Sequence, residues 1–173
     1  MKLTGLFATL ILLLCVQSMA APIDDMEQAA ATAADCRCDA IFEQYEYNNE
    51  WYLAGWARFE ARQVAPSVTD PAILAAGDLK ITEGDDKLTE AASLYGDGNS
   101  RLATAEVLYG EANGLASQYY FTAATAKYYA SIVEYSGAKT QFSDAVEKCV
   151  EAWLLFAEAR LIYESGAVPP AMP

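Results

Sequence analysis

The sequence contains no histidine and few basic residues, and both shortages limit the chemistry open to it. Its 173 residues include 24 Asp and Glu against 11 Lys and Arg, which gives a formal net charge of −13. Without histidine the chain lacks the usual general base, the Ser-His and Cys-His nucleophile pairs and the commonest metal ligand. The excess of carboxylates repels nucleic acid and anionic lipid. We therefore expect a protein that is not an enzyme, uses no cofactor and has no nucleic-acid partner.

Sequence motifs for phosphate and metal binding are also missing. The segment Gly96-Asp97-Gly98-Asn99 lacks the Gly-Lys-Ser/Thr that completes a P-loop. Asp85, Asp86, Asp97 and Asn99 do not fall at the alternating ligand positions of an EF-hand. No metal site is predicted, and only loose binding of a cation such as calcium stays open as an alternative.

The first twenty residues are typical of a secretory signal peptide. Lys2 gives a basic start, an apolar run extends from Leu6 to Val16, and small residues precede a cleavage point after Ala20. The apolar run is shorter than the about 20 residues that span a bilayer, and no later run is longer. We predict a secreted or extracytoplasmic protein of the cell envelope, with a retained N-terminal anchor as the alternative.

Helix signals dominate the rest of the chain, because alanine is abundant and β-branched residues are scattered. We predict one all-α domain over residues 21–167 and a flexible proline-rich tail at 168–173. The domain is expected to be an elongated antiparallel four-helix bundle. Its predicted helices are about 24–63, 71–95, 101–135 and 139–164.

Helix breakers and caps set these boundaries. Asp70 suits an N-cap and Pro71 the first helical position. The run Gly-Asp-Gly-Asn-Ser at 96–100 predicts a turn, because each helical glycine costs about 1 kcal/mol. Residues 87–97 resemble residues 101–111, which leaves open a continuous rod in place of that turn. Ser136-Gly137 predicts the next helix end.

Large and small residues recur every seven positions along the last three predicted helices. The second helix has large residues at Leu74, Ile81, Leu88 and Tyr95 beside small ones at Gly77, Gly84 and Ala91. In the third helix the large series passes through Leu102 and Tyr109 to alanines at 116, 123 and 130. The fourth has Phe142, Cys149, Phe156 and Tyr163 beside Ala145, Ala152 and Ala159, and Trp153 widens its apolar side. Such Ala/Gly-rich heptad seams predict close packing and a left-handed supercoil, as in a coiled coil.

The first predicted helix carries an aromatic stripe. Spacings of three, four and seven place its members on one helical face: Phe42, Tyr45, Tyr52, Trp56 and Phe59. The chain has eleven tyrosines, more than a core of this size needs, so some must face outward. Tyr47, Trp51, Tyr120 and Tyr128 are the candidate interaction surface, since tyrosine and tryptophan are enriched at protein interfaces.

Three cysteines remain after the predicted cleavage: Cys36, Cys38 and Cys149. An odd number in an exported protein leaves at least one thiol free or paired between chains. We predict a buried or free Cys149 and an intermolecular disulfide through Cys36 or Cys38.

These features favour an exported, non-enzymatic protein that acts through protein–protein contact or self-association at the cell envelope. The alternative function is that of an extracytoplasmic binding protein for a small ligand or a cation.

Overall fold

The computed structural model describes residues 3–167, with side chains from residue 21 onward. Three long helices are formed: α1, Leu3–Val64; α2, Pro71–Ser117; and α3, Phe121–Gly166. A short 3₁₀ helix at Ala65–Ser67 follows α1, and an isolated antiparallel bridge joins Val68 to Ala167. The all-α class is confirmed, and the prediction of four helices is wrong. The tail at 168–173 and the side chains of the predicted signal peptide lie outside the described residues.

The helices pack as two compact units. Unit 1 comprises residues up to Asp39 together with Arg101–Gly137. Unit 2 comprises Ala40–Ser100 together with the residues from Ala138 onward. Each unit therefore contains one stretch of each helix. The single domain over residues 21–167 stays a prediction.

The start of α2 follows the predicted capping residues. The Asp70 side chain accepts a hydrogen bond from the backbone N–H of Ala72 at 2.8 Å, and Pro71 is the first helical residue. A proline at this position costs no hydrogen bond, because the first N–H groups of a helix have no partner within the helix.

Residues 96–100, predicted to form a turn, lie inside α2. Gly98 is buried, and a Cβ added there would lie 2.5 Å from Cε1 of Phe142. Glycine therefore allows α3 to approach α2 closely in unit 2, and this packing offsets its helix-propensity cost of about 1 kcal/mol. The predicted turn is wrong, and α2 runs through this segment as a rod that ends at Ser117.

The helix end predicted at Ser136-Gly137 is also wrong, because α3 continues through both residues. A Cβ at Gly137 would lie 2.7 Å from Nη1 of Arg101, whose guanidinium pairs with Glu134 in unit 1. This glycine also makes room for a neighbouring side chain. The large series of α3 extends back through the predicted end, and all six of its members are buried: Tyr128, Tyr135, Phe142, Cys149, Phe156 and Tyr163.

The real turn between α2 and α3 lies at residues 118–120 and contains no glycine or proline. Tyr119 has a φ of 66°, in the left-handed region. Its N–H donates to the carbonyl of Ala116, and the N–H of Tyr120 donates to that of Leu115, each at 3.0 Å. This pair of bonds is the Schellman motif, in which the position of Tyr119 is usually glycine.

Replacing Tyr119 with glycine is expected to stabilise the protein by about 1 kcal/mol, because a left-handed conformation costs a non-glycine residue roughly 1–2 kcal/mol. The Tyr119 side chain is 80% exposed, so little packing is lost. Urea unfolding followed by circular dichroism measures the change. Tyr120→Gly is the matched control and should bring no gain, because the positive φ belongs to Tyr119. Equal effects of the two substitutions would contradict this account of the turn.

In unit 2, large side chains of α3 lie over small residues of α2. A Cβ added to Gly77 would fall 2.2 Å from Cε1 of Tyr163, and one added to Gly84 would fall 2.4 Å from Cε1 of Phe156. Cys149, the smallest member of the α3 series, shares a buried cluster with Ala91. The predicted small residues of α2 therefore accept the predicted large residues of α3. Supercoiling of the helices stays a prediction.

In unit 1, alanines and tyrosines form the core. Ala29 and Ala33 of α1 pack with Ala112 of α2 and with Ala124 and Tyr128 of α3. The ring of Tyr109 lies edge-on to Tyr128 and Tyr135, with centroids 5.6 and 6.4 Å away. The register predicted for residues 116–130 is wrong, because the turn at 118–120 restarts the heptad phase in α3.

A seven-residue series of α1 that the sequence analysis missed is buried: Ala33, Ala40, Tyr47, Ala54 and Ala61. Except for Tyr47, this series consists of alanines, and most large residues of this helix in unit 2 are exposed. The residues of the aromatic stripe lie on one face of α1, as predicted, and this face is exposed. Alanine lets the helix axes approach closely, so the inward face of α1 is narrow.

Candidate functional site

The four residues of the predicted interaction surface divide into two exposed and two buried side chains. Trp51 in unit 2 is 38% exposed, and Tyr120 in unit 1 is 60% exposed. Tyr47 and Tyr128 are buried, which corrects their assignment to a surface. The ring of Tyr47 stacks on Tyr95 with centroids 4.2 Å apart. The Tyr128 hydroxyl donates to Oδ1 of Asn113 at 2.7 Å. Both side chains are held by helices of their own unit.

The three cysteines occupy different environments, and none forms a disulfide within the described chain. Cys149 is fully buried, and burial raises the pKa of its thiol to about 12. Cys36 is half-buried, with the Ser136 hydroxyl 4.0 Å from its sulfur, and Cys38 is exposed. A disulfide between chains through Cys36 or Cys38 stays a prediction.

The outer side of α1 in unit 2 is apolar and aromatic. The exposed large side chains on this stretch number eight: Ile41, Phe42, Tyr45, Trp51, Tyr52, Leu53, Trp56 and Phe59. Trp56 and Phe59 are each 52% exposed, with ring centroids 5.5 Å apart. Together with Trp51 and Tyr52, they surround a notch of about 360 Å³ over Gly55. A side chain at residue 55 would meet no atom within 4 Å of its Cβ, so the notch is open.

Helix α3 continues this apolar surface beside α1 in the same unit. Its exposed large side chains there are Val150, Trp153, Leu154 and Leu161. The two helices are adjacent, since Nη1 of Arg160 lies 2.8 Å from Oε2 of Glu60. A second groove of about 360 Å³ runs between them and is lined by both helices: Ala57, Glu60, Trp153, Ala157, Arg160, Leu161 and Glu164. We call the exposed apolar side chains of α1 and α3 in unit 2, with this groove and the notch at Gly55, the α1/α3 face.

Helix α2 is different on its outer side. In unit 2 its one exposed large apolar side chain among the described residues is Leu79. Its basic residues make ion pairs with α3: Nζ of Lys80 lies 3.4 Å from Glu158, and Nζ of Lys87 lies 3.1 Å from Glu151. Apolar exposure in unit 2 is therefore concentrated on the side formed by α1 and α3.

Sequence reasoning identified part of the α1/α3 face. It grouped Phe42, Tyr45, Tyr52, Trp56 and Phe59 on one side of a helix and assigned Trp51 to an interaction surface. It missed Ile41, Leu53, Val150, Leu154 and Leu161, and it placed Trp153, which is 42% exposed, on the apolar packing side of the last helix. The seven-residue spacing of Leu154 and Leu161 was a usable signal, because these positions lie opposite the seam that contains Phe156.

Metal binding and membrane crossing receive no support from the described residues. No group of three or more Cys, Asp or Glu side chains among them is placed to hold a metal ion. No helix within the described range combines the length and apolarity needed to cross a bilayer.

Raising the pH from 10 to about 12 is expected to destabilise the fold. Burial raises the pKa of Tyr135 and Tyr163 from 10.0 to about 12, helped by the charges of Glu106 and Asp78 respectively. In this window the unfolded chain loses protons that the folded chain keeps, so each tyrosine lowers the free energy of unfolding by up to about 1.4 kcal/mol per pH unit. Well below pH 10 both tyrosines stay protonated in the folded and in the unfolded chain, so they do not lower the free energy of unfolding there.

Urea midpoints measured from pH 8 to 12, beside tyrosinate absorbance, check this prediction. Tyr163→Phe is the control, since it removes one titrating group and should flatten the fall. A midpoint that stays constant up to pH 12 would contradict it.

No protein-family model matches this chain, and neither a curated protein nor a solved structure matches it significantly.

Proposed function

We propose that this chain is an exported, non-enzymatic helical protein that acts through protein–protein contact, and that the α1/α3 face makes the contact. The observation that carries the proposal is the uneven distribution of apolar side chains in unit 2. Eight large exposed ones lie on α1 and four on α3, whereas the described part of α2 in this unit has one. Scattered apolar residues are ordinary on a surface, but a contiguous patch marks an interaction site.

The composition of the face supports a protein partner. Trp51, Trp56 and Trp153 are the three tryptophans of the chain, and all are at least 38% exposed on this side of unit 2. Tryptophan and tyrosine dominate the residues that carry binding energy at protein interfaces. The polar rim that such interfaces need is present at the ion pairs of Arg160 with Glu60 and Glu164.

Export to the cell envelope rests on the first twenty residues, whose basic start, apolar run and small residues before Ala21 resemble a secretory signal. The net charge of −13 favours the solubility of a chain with exposed aromatic residues. The alternative function is binding of a small ligand or calcium. A ligand that binds the folded protein would raise the midpoint of its thermal unfolding.

A photo-reactive residue at Phe59 tests the contact function in the cells that produce the protein. We expect cross-linked adducts at Phe59, on the α1/α3 face, and none at Leu79, an equally exposed position on α2 (52% and 57%). Adducts that form equally at both sites, or at neither, would contradict the proposal.

Light scattering after size-exclusion chromatography, on the chain from Ala21 onward, identifies self-association. A dimer that collapses on reduction would indicate a disulfide through Cys36 or Cys38. A dimer that persists in reductant and is lost in Phe59→Ala would indicate that the α1/α3 face binds a second copy.

A further inference from the structure

We propose that the partner of the α1/α3 face is an amphipathic helix whose apolar stripe is flanked by Lys and Arg. This inference rests on the contact function above and names the chemical class of the partner. It follows from the charges that border the face and from the shape of the face.

Glutamate side chains lie on the same sides of α1 and α3 as the exposed apolar side chains. Leu53 on α1 is preceded seven residues earlier by Glu46, and Leu154 on α3 is preceded seven residues earlier by Glu147. Residues seven apart lie on the same side of a helix. Glu50 on α1 is half-buried, and its charge helps burial to raise the pKa of Cys149 on α3. The α1/α3 face therefore has carboxylates beside its apolar side chains.

These carboxylates have no cation to neutralise them. In the described part of the chain, Glu46, Glu50 and Glu147 form no ion pair, whereas Glu60, Glu151 and Glu158 each contact a Lys or Arg. Unit 2 has 16 carboxylates and seven basic side chains in its sequence, so most of its carboxylates cannot each pair with a separate basic side chain of the same unit. A basic partner would pair with these three carboxylates.

A second copy of this chain fits the face less well. A two-fold contact brings the same patch of each subunit together, so a second copy would add three more carboxylates, its own Glu46, Glu50 and Glu147, to the interface. Like charges placed together at an interface cost several kcal/mol and exclude wrong partners. A basic partner turns the same carboxylates into attractive contacts.

The shape of the face fits a helix. Its apolar side chains follow two adjacent helices, with seven-residue spacing at Tyr45, Tyr52 and Phe59 on α1 and at Leu154 and Leu161 on α3. A helix bound in a groove presents apolar anchors with the same period. The notch over Gly55 is large enough to receive one anchor side chain.

Binding of synthetic peptides to the chain from Ala21 onward tests the proposal. Three peptides of about 18 residues are compared, a length at which an isolated helix can form. The first has a Leu/Trp stripe flanked by Lys, the second has the same stripe flanked by Glu, and the third is a scrambled form of the first. We expect the first to bind at least tenfold more tightly than either of the others, and more weakly as salt rises.

Matched glycine variants locate the binding site. Gly55→Gln fills the notch and is expected to weaken binding of the Lys peptide at least tenfold. Gly96→Gln is the control on the outer side of α2, and binding should not change. A Cβ at either position meets no atom within 4 Å, so both variants keep the fold and neither lowers the thermal midpoint.

Charge reversal gives a second, independent readout. In the double variant Glu46→Lys/Glu147→Lys, the Lys peptide should bind at least tenfold more weakly and the Glu peptide more tightly. Equal affinity for all three peptides, or equal effects of Gly55→Gln and Gly96→Gln, would overturn the proposal.

The two proposals fail in different ways. Cross-links at Phe59 without selective binding of the Lys peptide would leave the contact function standing and reject a basic helix as its partner. A Phe59-dependent dimer in reductant would replace the basic helix with a second copy. If the protein sedimented with zwitterionic lipid vesicles and the Gly55→Gln variant did not, the partner would be a membrane surface and not a basic helix.

Discussion

Replacing Phe156 with alanine is expected to lower the free energy of unfolding by about 3–5 kcal/mol. Phe156 is fully buried, and its ring fills the space left by Gly84 on α2. The cost of a cavity depends on how far its surroundings can collapse. Among the surrounding residues, Gly84, Ala57 and Ala152 have no side chain long enough to move into the gap.

Phe59→Ala is the matched control, because Phe59 lies on the same unit and is 52% exposed. Its substitution should change stability by less than about 0.5 kcal/mol, as surface changes usually do. Guanidinium unfolding followed by circular dichroism measures both variants. A loss below about 1 kcal/mol for Phe156→Ala, or equal losses in the two proteins, would contradict the packing described for unit 2.

The sequence predicted those features of the fold that depend on local chemistry. The all-α class followed from composition, and the start of α2 at Pro71 followed from a capping aspartate and a proline. The end of α1 at Val64 and that of α3 at Gly166 lie within two residues of the predicted ends. In each case the signal lies within a few residues of the feature, so a single sequence contains it.

The errors came from glycines whose role is long-range. Gly98 and Gly137 were interpreted as helix breakers because propensity is a local property. Each instead makes room for a side chain on another helix of its own unit, Phe142 and Arg101 respectively. The true turn at Tyr119 has no breaker residue, and helix packing on both sides holds it in place. Extending the series of Phe142 back to Tyr135 and Tyr128 would have shown that one helix crosses residues 136–137.

The candidate site could be predicted only in part, for a related reason. Helix α1 has two seven-residue series, one of alanines and one of aromatic residues, and periodicity alone does not say which faces inward. Close packing against α2 and α3 selects the alanines. The α1/α3 face also depends on which residues of α3 lie beside α1, for example Arg160 beside Glu60, and this register is a tertiary property.

Replacing Gly84 with alanine is expected to destabilise the protein by about 1–3 kcal/mol, although alanine is the better helix former by about 1 kcal/mol. The added Cβ would lie 2.4 Å from Cε1 of Phe156, so the ring or the helix has to move. Gly96→Ala is the control. It lies on the same helix with no atom within 4 Å of an added Cβ, and should stabilise the protein by up to about 1 kcal/mol.

A second substitution tests whether the Phe156 ring causes this loss. Ala91 and Cys149, two buried residues of one cluster, show that an alanine on α2 is accommodated where α3 has a thiol in place of a ring. The double variant Gly84→Ala/Phe156→Cys copies that pair of residues. Its loss of stability should be smaller than the sum of the two single losses by about 1 kcal/mol or more, because the new methyl group occupies space that the ring has left. Additive losses would mean that the close approach of Phe156 does not cause the cost of the added methyl group.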